Sequence, residues 1–137
     1  MPKIVATNVV VKIGGVDLSQ YVSNVSLSSS ADAIETTSFS SAGARERVSG
    51  LKDNSVTIDF MQDYAASAVE ATVYPLIGST AVAFEILPNG TAVSSTNPKY
   101  TGSLIVVDWT PVAGAVGELL TASVTWPITG AITKATA

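Results

Sequence analysis

Residues 32–60 read DAIETTSFSSAGARERVSGLKDNSVTIDF. The end of this stretch alternates. Val56, Ile58 and Phe60 fall on one side of an extended chain, and Ser55, Thr57 and Asp59 on the other. Alternation of apolar and small polar residues marks a strand with one buried and one wetted face. The start of the stretch also reads as strand. The middle, Ser38 to Ser49, is small and polar, and Arg45, Glu46 and Arg47 stand side by side in it. Two strands joined by a long, locally charged connection set the frame for the rest of the chain.

Upstream, Val25 and Leu27 alternate with Ser26 and Ser28, and Val9, Val11 and Ile13 with Val10 and Lys12. Gly14-Gly15 suits a tight hairpin turn, because glycine reaches positive φ without a Cβ clash. Downstream, AVAFEIL (81–87) reads as a strand closed by the turn Pro88-Asn89-Gly90. YTGSLIVVDWT (100–110) and LLTASVTWPI (119–128) follow. In the last, Leu120, Ala122, Val124 and Trp126 face one way, and Thr121, Ser123 and Thr125 the other.

One segment breaks the pattern. DYAASAVEATVYPLIG (63–78) carries Ala66, Val69, Val73 and Leu76 at helical spacing. Asp63 is placed to cap a helix, and Pro75 ends it near Tyr74. Ala66, Val69 and Val73 are its expected packing face. Strands, one helix, then strands predict a single domain over 1–137. It is expected to be mainly β, an antiparallel sandwich or barrel with one flanking α-helix and a long inter-strand loop.

Composition narrows the function. The chain has 137 residues, enough for one core, and no internal repeat. It is 47% hydrophobic but only 13% charged, so a solvated disordered chain is excluded. So little charge suits a protein that covers much of its surface with copies of itself. Net charge −4 without a basic run argues against tight binding of nucleic-acid phosphates. The first fifteen residues lack the apolar run of a secretory leader, and no stretch is long enough to span a bilayer.

Histidine and cysteine are absent, which removes imidazole bases, thiol nucleophiles and the usual zinc ligands. The acids stand singly, and Asp59 and Asp63 straddle a strand–helix junction. Gly43 to Gly50 with Lys52 lacks the spacing of a phosphate loop, and no Gly-x-Ser-x-Gly elbow occurs. No catalytic residues, metal ligands or cofactor follow from the sequence. Trp109 and Trp126 read as packing at the sheet ends.

VDLSQYVSNVSL (16–27), DAIETTSF (32–39) and GLKDNSVTIDFMQDYAAS (50–67) together resemble the major tail tube proteins of long-tailed, siphovirus-like bacteriophages. Residues 100–137 are similar to their closing strands. The resemblance spans nearly the whole chain. Where that family usually has Phe-Gly before its long loop, this chain has Phe39-Ser40, and Gly43 comes later.

The resemblance implies a structural virion protein, not an enzyme. It implies hexameric rings that stack into a hollow tail tube, with a continuous inner sheet and a loop reaching the next ring. The loop would be Ala42, Gly43, Ala44, Arg45, Glu46, Arg47 and Val48. Ser55, Thr57, Asp59, Thr121, Ser123 and Thr125 would line the lumen. Implied partners are further copies of the chain, a tape-measure protein in the lumen, and tail terminator and tail-tip proteins. DNA would pass through without tight binding. The place would be the virion tail, assembled in the host cytoplasm. A β-sandwich binding module of tail-tip or adhesin type is the alternative reading.

Overall fold

The alternation read at 55–60 builds the centre of the sheet. In the computed structural model, which describes residues 3–136, Val56, Ile58 and Phe60 are fully buried within β4 (Arg47–Met61). β4 pairs antiparallel with β3 (Val22–Glu35) on one side and with β7 (Thr121–Ala135) on the other. The remaining strands are β1 (Val10–Ile13), β2 (Val16–Asp17), β5 (Val82–Leu87) and β6 (Lys99–Leu104). All belong to one antiparallel seven-stranded sheet in the order β2-β1-β5-β6-β7-β4-β3.

β7 gives this sheet its shape. Thr121–Ile128 pairs with β4, and Ile128–Ala135 continues along β6. At the changeover Gly130 takes φ +82°, and the register against β6 shifts between Thr101 and Ser103. A strand that changes partners at an irregularity turns a corner between two layers. Asn54, 4% exposed, pins the corner: its amide donates to the Gly130 carbonyl at 3.3 Å and its oxygen accepts from Ser29.

The curl brings apolar faces from both ends of the sheet into one core. Val11, Ile13, Phe84, Ile86 and Leu104 meet Val56, Ile58, Phe60, Val124 and Trp126 there. Phe60 lies edge-on to Trp109 at 5.5 Å and tilted against Trp126 at 6.0 Å. The mainly β, antiparallel architecture is as the sequence indicates. The sheet is nonetheless single and open, because its outer strands β2 and β3 do not pair with each other.

The helix is much shorter than its periodicity suggests. α1 is Val69–Val73, followed by one 3-10 turn at Tyr74–Leu76. Asp63 does not cap it. Its carboxylate accepts the Ala65 N–H at 2.9 Å, which closes a local turn, and Ala68 occupies the N-cap. Ser67 at φ +63° then breaks the backbone between that turn and the helix. Val69 and Val73 are fully buried in the core. Ala66 is exposed and lies outside the helix, which corrects the expected packing face; Ala68 is buried instead.

Candidate assembly surfaces

Two features of the sheet face outward and belong to no core. The first is a polar face across β3, β4 and β7. Register places Asn24, Asp59 and Ser123 in one row, and Ser26, Thr57 and Thr125 in the next. Ser28 and Ser55 continue it beside Pro127. Directly opposed residues of antiparallel strands share a face, and small hydroxyls in such pairs bond across it. Thr57 and Thr125 do so, oxygen to oxygen, at 3.1 Å. Asp59, the one acid in these rows, accepts from Asn24 at 3.3 Å and from Ser123. Thr121 extends the face at the end of β7, opposite Met61.

All six of the polar residues picked out by alternation, Ser55, Thr57, Asp59, Thr121, Ser123 and Thr125, are thus brought onto one surface of two adjacent strands. Asn24, Ser26 and Ser28 complete it from β3. Their own alternation with Val25 and Leu27 was a sufficient signal for them.

The second feature is an arm. Beyond Asn54, β4 has no neighbour but β3, so Ala31–Glu35 and Arg47–Lys52 form a two-stranded ribbon. Its tip holds a 3-10 turn at Phe39–Ser41, where Ser38 and Ser41 exchange capping hydrogen bonds. Ala42 and Gly43 follow with φ of 55° and 83°.

The expected loop at 42–48 therefore divides. Ala42, Gly43, Ala44, Arg45 and Glu46 lie in the tip, but Arg47 and Val48 are strand residues opposite Glu35 and Ile34. The ladder runs further than the polar composition suggests, because Val48 has a β-branched partner in Ile34. The Thr36 N–H still donates to the Glu46 carbonyl at 2.9 Å. Arg45 bonds Glu35 of its own chain at 3.2 Å, with both side chains largely exposed. The small, polar reading of Ser38 to Ser49 passed over Phe39 and Val48, which are large, apolar and exposed, as are Ile34 and Leu51 on the strands beside them.

A carboxylate network ties down the connection that follows β6. Glu70 accepts from the Trp109 indole and from Gln62 at 3.0 Å. Gln62 also donates to the Pro111 carbonyl at 2.9 Å. These bonds hold Trp109 against Phe60. Among the described residues no group of three or more acids, histidines or cysteines could hold a metal ion.

No family model matches the chain, and no curated protein does. Solved structures do. A chain in the virion of a native gene transfer agent particle superposes with a TM-score of 0.77 at 13% identity, covering 96% of this chain and 98% of the other. A chain in the tail of an empty gene transfer agent particle, refined helically with C6 symmetry, gives 0.66 at 16% identity over 85% and 83%. The chain shares its fold with these virion and tail chains. A chain of the sheath–tube complex of an extracellular contractile injection system, PVC, in its extended state shares it, with a TM-score of 0.72 at 12% identity over 98% and 93%. The matches are with gene transfer agent and injection-system particles, and so do not single out the siphovirus-like phages to which the sequence pointed.

Proposed function

We propose that the chain is the structural subunit of a tail tube, one that self-assembles into stacked hexameric rings and encloses a channel for DNA. The observation that carries this reading is the superposition of 85% of the chain on a subunit of a helical tail with C6 symmetry. The polar face supplies a lumen lining. Rows of Ser, Thr and Asn with one acid per copy offer water-compatible groups and no cation to hold phosphates. The arm supplies contact with the next ring, and the 14-residue β3 leaves an outer edge to be covered. In a virion, the tape-measure protein would fill the channel, and terminator and tip proteins would close its ends. The reading assigns no enzymatic step to any residue.

Electron microscopy of the purified chain at rising concentration tests this. Rings and tubes of constant diameter are the expected result. A monodisperse monomer at all concentrations would overturn it.

The lumen assignment has its own test. Thr57→Lys with Asp59→Lys leaves the buried face of β4 untouched, so the subunit folds and tubes form. Each copy gains one positive charge at 57 and exchanges a negative for a positive one at 59. Phosphates crossing such a lining are retained by counterion-linked attraction that weakens with salt. Particles of normal appearance with slowed DNA ejection, most at low salt, are expected. Ejection as fast as wild type at low ionic strength would place this face outside the channel.

A further inference from the structure

An apolar cleft lies between β3 and the strands β5, β6 and β7. It measures about 540 Å³. Val25 and Leu27 of β3 wall one side, and Ile86, Tyr100 and Ile132 of β5, β6 and β7 the other. Lys134 is the one charged residue that lines it. Val9, Val25, Leu27 and Ile132 in its wall are half-buried and pack against the core, so an apolar occupant would displace water from them favourably.

The chain carries such a group and does not use it. Of its phenylalanines, Phe60 and Phe84 are buried, whereas Phe39 at the arm tip is 108% exposed. A residue that can bury 150–250 Å² on contact, by general estimates about the largest gain open to a side chain, is held out at the end of a ribbon.

Its own cleft is beyond reach. Ser29 lines the cleft, and β3 runs on from it to Glu35 as extended chain, a span of about 20 Å at ~3.3 Å per residue. Phe39 lies past that point, and a ribbon hydrogen-bonded along its length cannot double back. The charges also match between copies. Arg45 is paired with Glu35, which leaves Glu46 at the tip with no ion pair among the described residues; Lys134 at the cleft has none either.

We infer that the cleft is the socket for the arm tip of a second copy, with Phe39 entering between the β3 wall and Ile132 and Glu46 meeting Lys134. This deepens the tube reading and rests on it for the supply of neighbouring copies in fixed register. The apolar lining of the socket is covered only when a neighbour is in place, so ring-to-ring contact and burial of that lining become one event.

The absence of cysteine makes a clean cross-linking test possible. Glu46→Cys and Lys134→Cys are prepared separately, both at exposed positions, so that Phe39 stays intact. The two proteins are mixed, assembled and oxidised mildly, and run on a non-reducing gel. A disulfide needs Cα atoms within about 7 Å, so a link reports close approach.

A covalent dimer that requires both variants is expected. Phe39→Ala should raise the concentration threshold for that link by about ten- to a hundredfold, and Phe39→Leu by much less. Tubes in the microscope without the mixed link, a link formed by Glu46→Cys alone, or a threshold unmoved by Phe39→Ala would each overturn the socket while leaving the tube standing. The mixed link without tubes would keep the socket and overturn the tube. Neither link nor tubes would overturn both.

Discussion

If the chain is a tube subunit as proposed, cutting away its arm is expected to leave a normally folded protein that builds no tubes. In the variant, Asp32–Leu51 is replaced by Asn-Gly, so that Ala31 and Lys52, opposed in the ladder, are joined by a two-residue hairpin turn. Asn-Gly favours the turn type that matches strand twist, so β3 and β4 keep their register below it. The removed residues are almost all exposed, and none belongs to the core. Their loss should move the melting temperature by no more than about 5 °C, since surface changes cost little. Circular dichroism and thermal melting check the fold, and microscopy checks assembly. Wild-type tube yield from the shortened chain would remove the arm from any part in assembly. Reversing Arg45 and Arg47 to Glu should do less, because Arg45 is spent on an exposed pair within its own chain.

Val69→Asp is expected to abolish soluble protein. Val69 is fully buried in the core at the start of α1. The carboxylate would have no partner there, and an uncompensated buried charge costs roughly 3–5 kcal/mol. Domains of this size are stable by only about 5–15 kcal/mol in total, so much of the stability would go. Ala66→Asp, three residues earlier on an exposed turn, should be close to neutral. The pair separates the packed stripe from its apparent continuation. The soluble fraction on expression and the melting curve of each variant give the answer. A soluble, cooperatively melting Val69→Asp subunit would show that α1 does not close the core.

The contrast between those two positions shows what was legible. Ala66, Val69 and Val73 satisfy helical spacing equally well, and spacing alone made one face of them. What divides them is Asp63, which spends its carboxylate on the Ala65 N–H, and Ser67, which turns to positive φ. A capping residue and a turn residue look alike in sequence because the same carboxylate can serve either donor. The arm poses a similar problem. Small residues and charges from Ser38 to Ser49 suggest a loop, yet Val48 faces Ile34 across a ladder. Strand pairing there depends on partners twelve or more residues apart, Glu35 with Arg47 and Ile34 with Val48, which composition does not disclose.

Alternation carried much further. For Ser55, Thr57, Asp59, Thr121, Ser123 and Thr125, the face each side chain takes follows from the two-residue repeat of an extended backbone, a property each strand has by itself. The sequence by itself therefore determined which side chains turn inward and which outward, the antiparallel β class, and the absence of imidazole and thiol chemistry. Tertiary structure decided that β7 leaves β4 for β6 at Gly130, that the sheet stops short of closing, and that Phe39 stands free while Phe60 is buried. The physical reason is range. Side-chain direction is set within a residue or two, whereas partner choice, curl and burial are set by contacts between residues far apart in the chain, Asn54 with Gly130 among them.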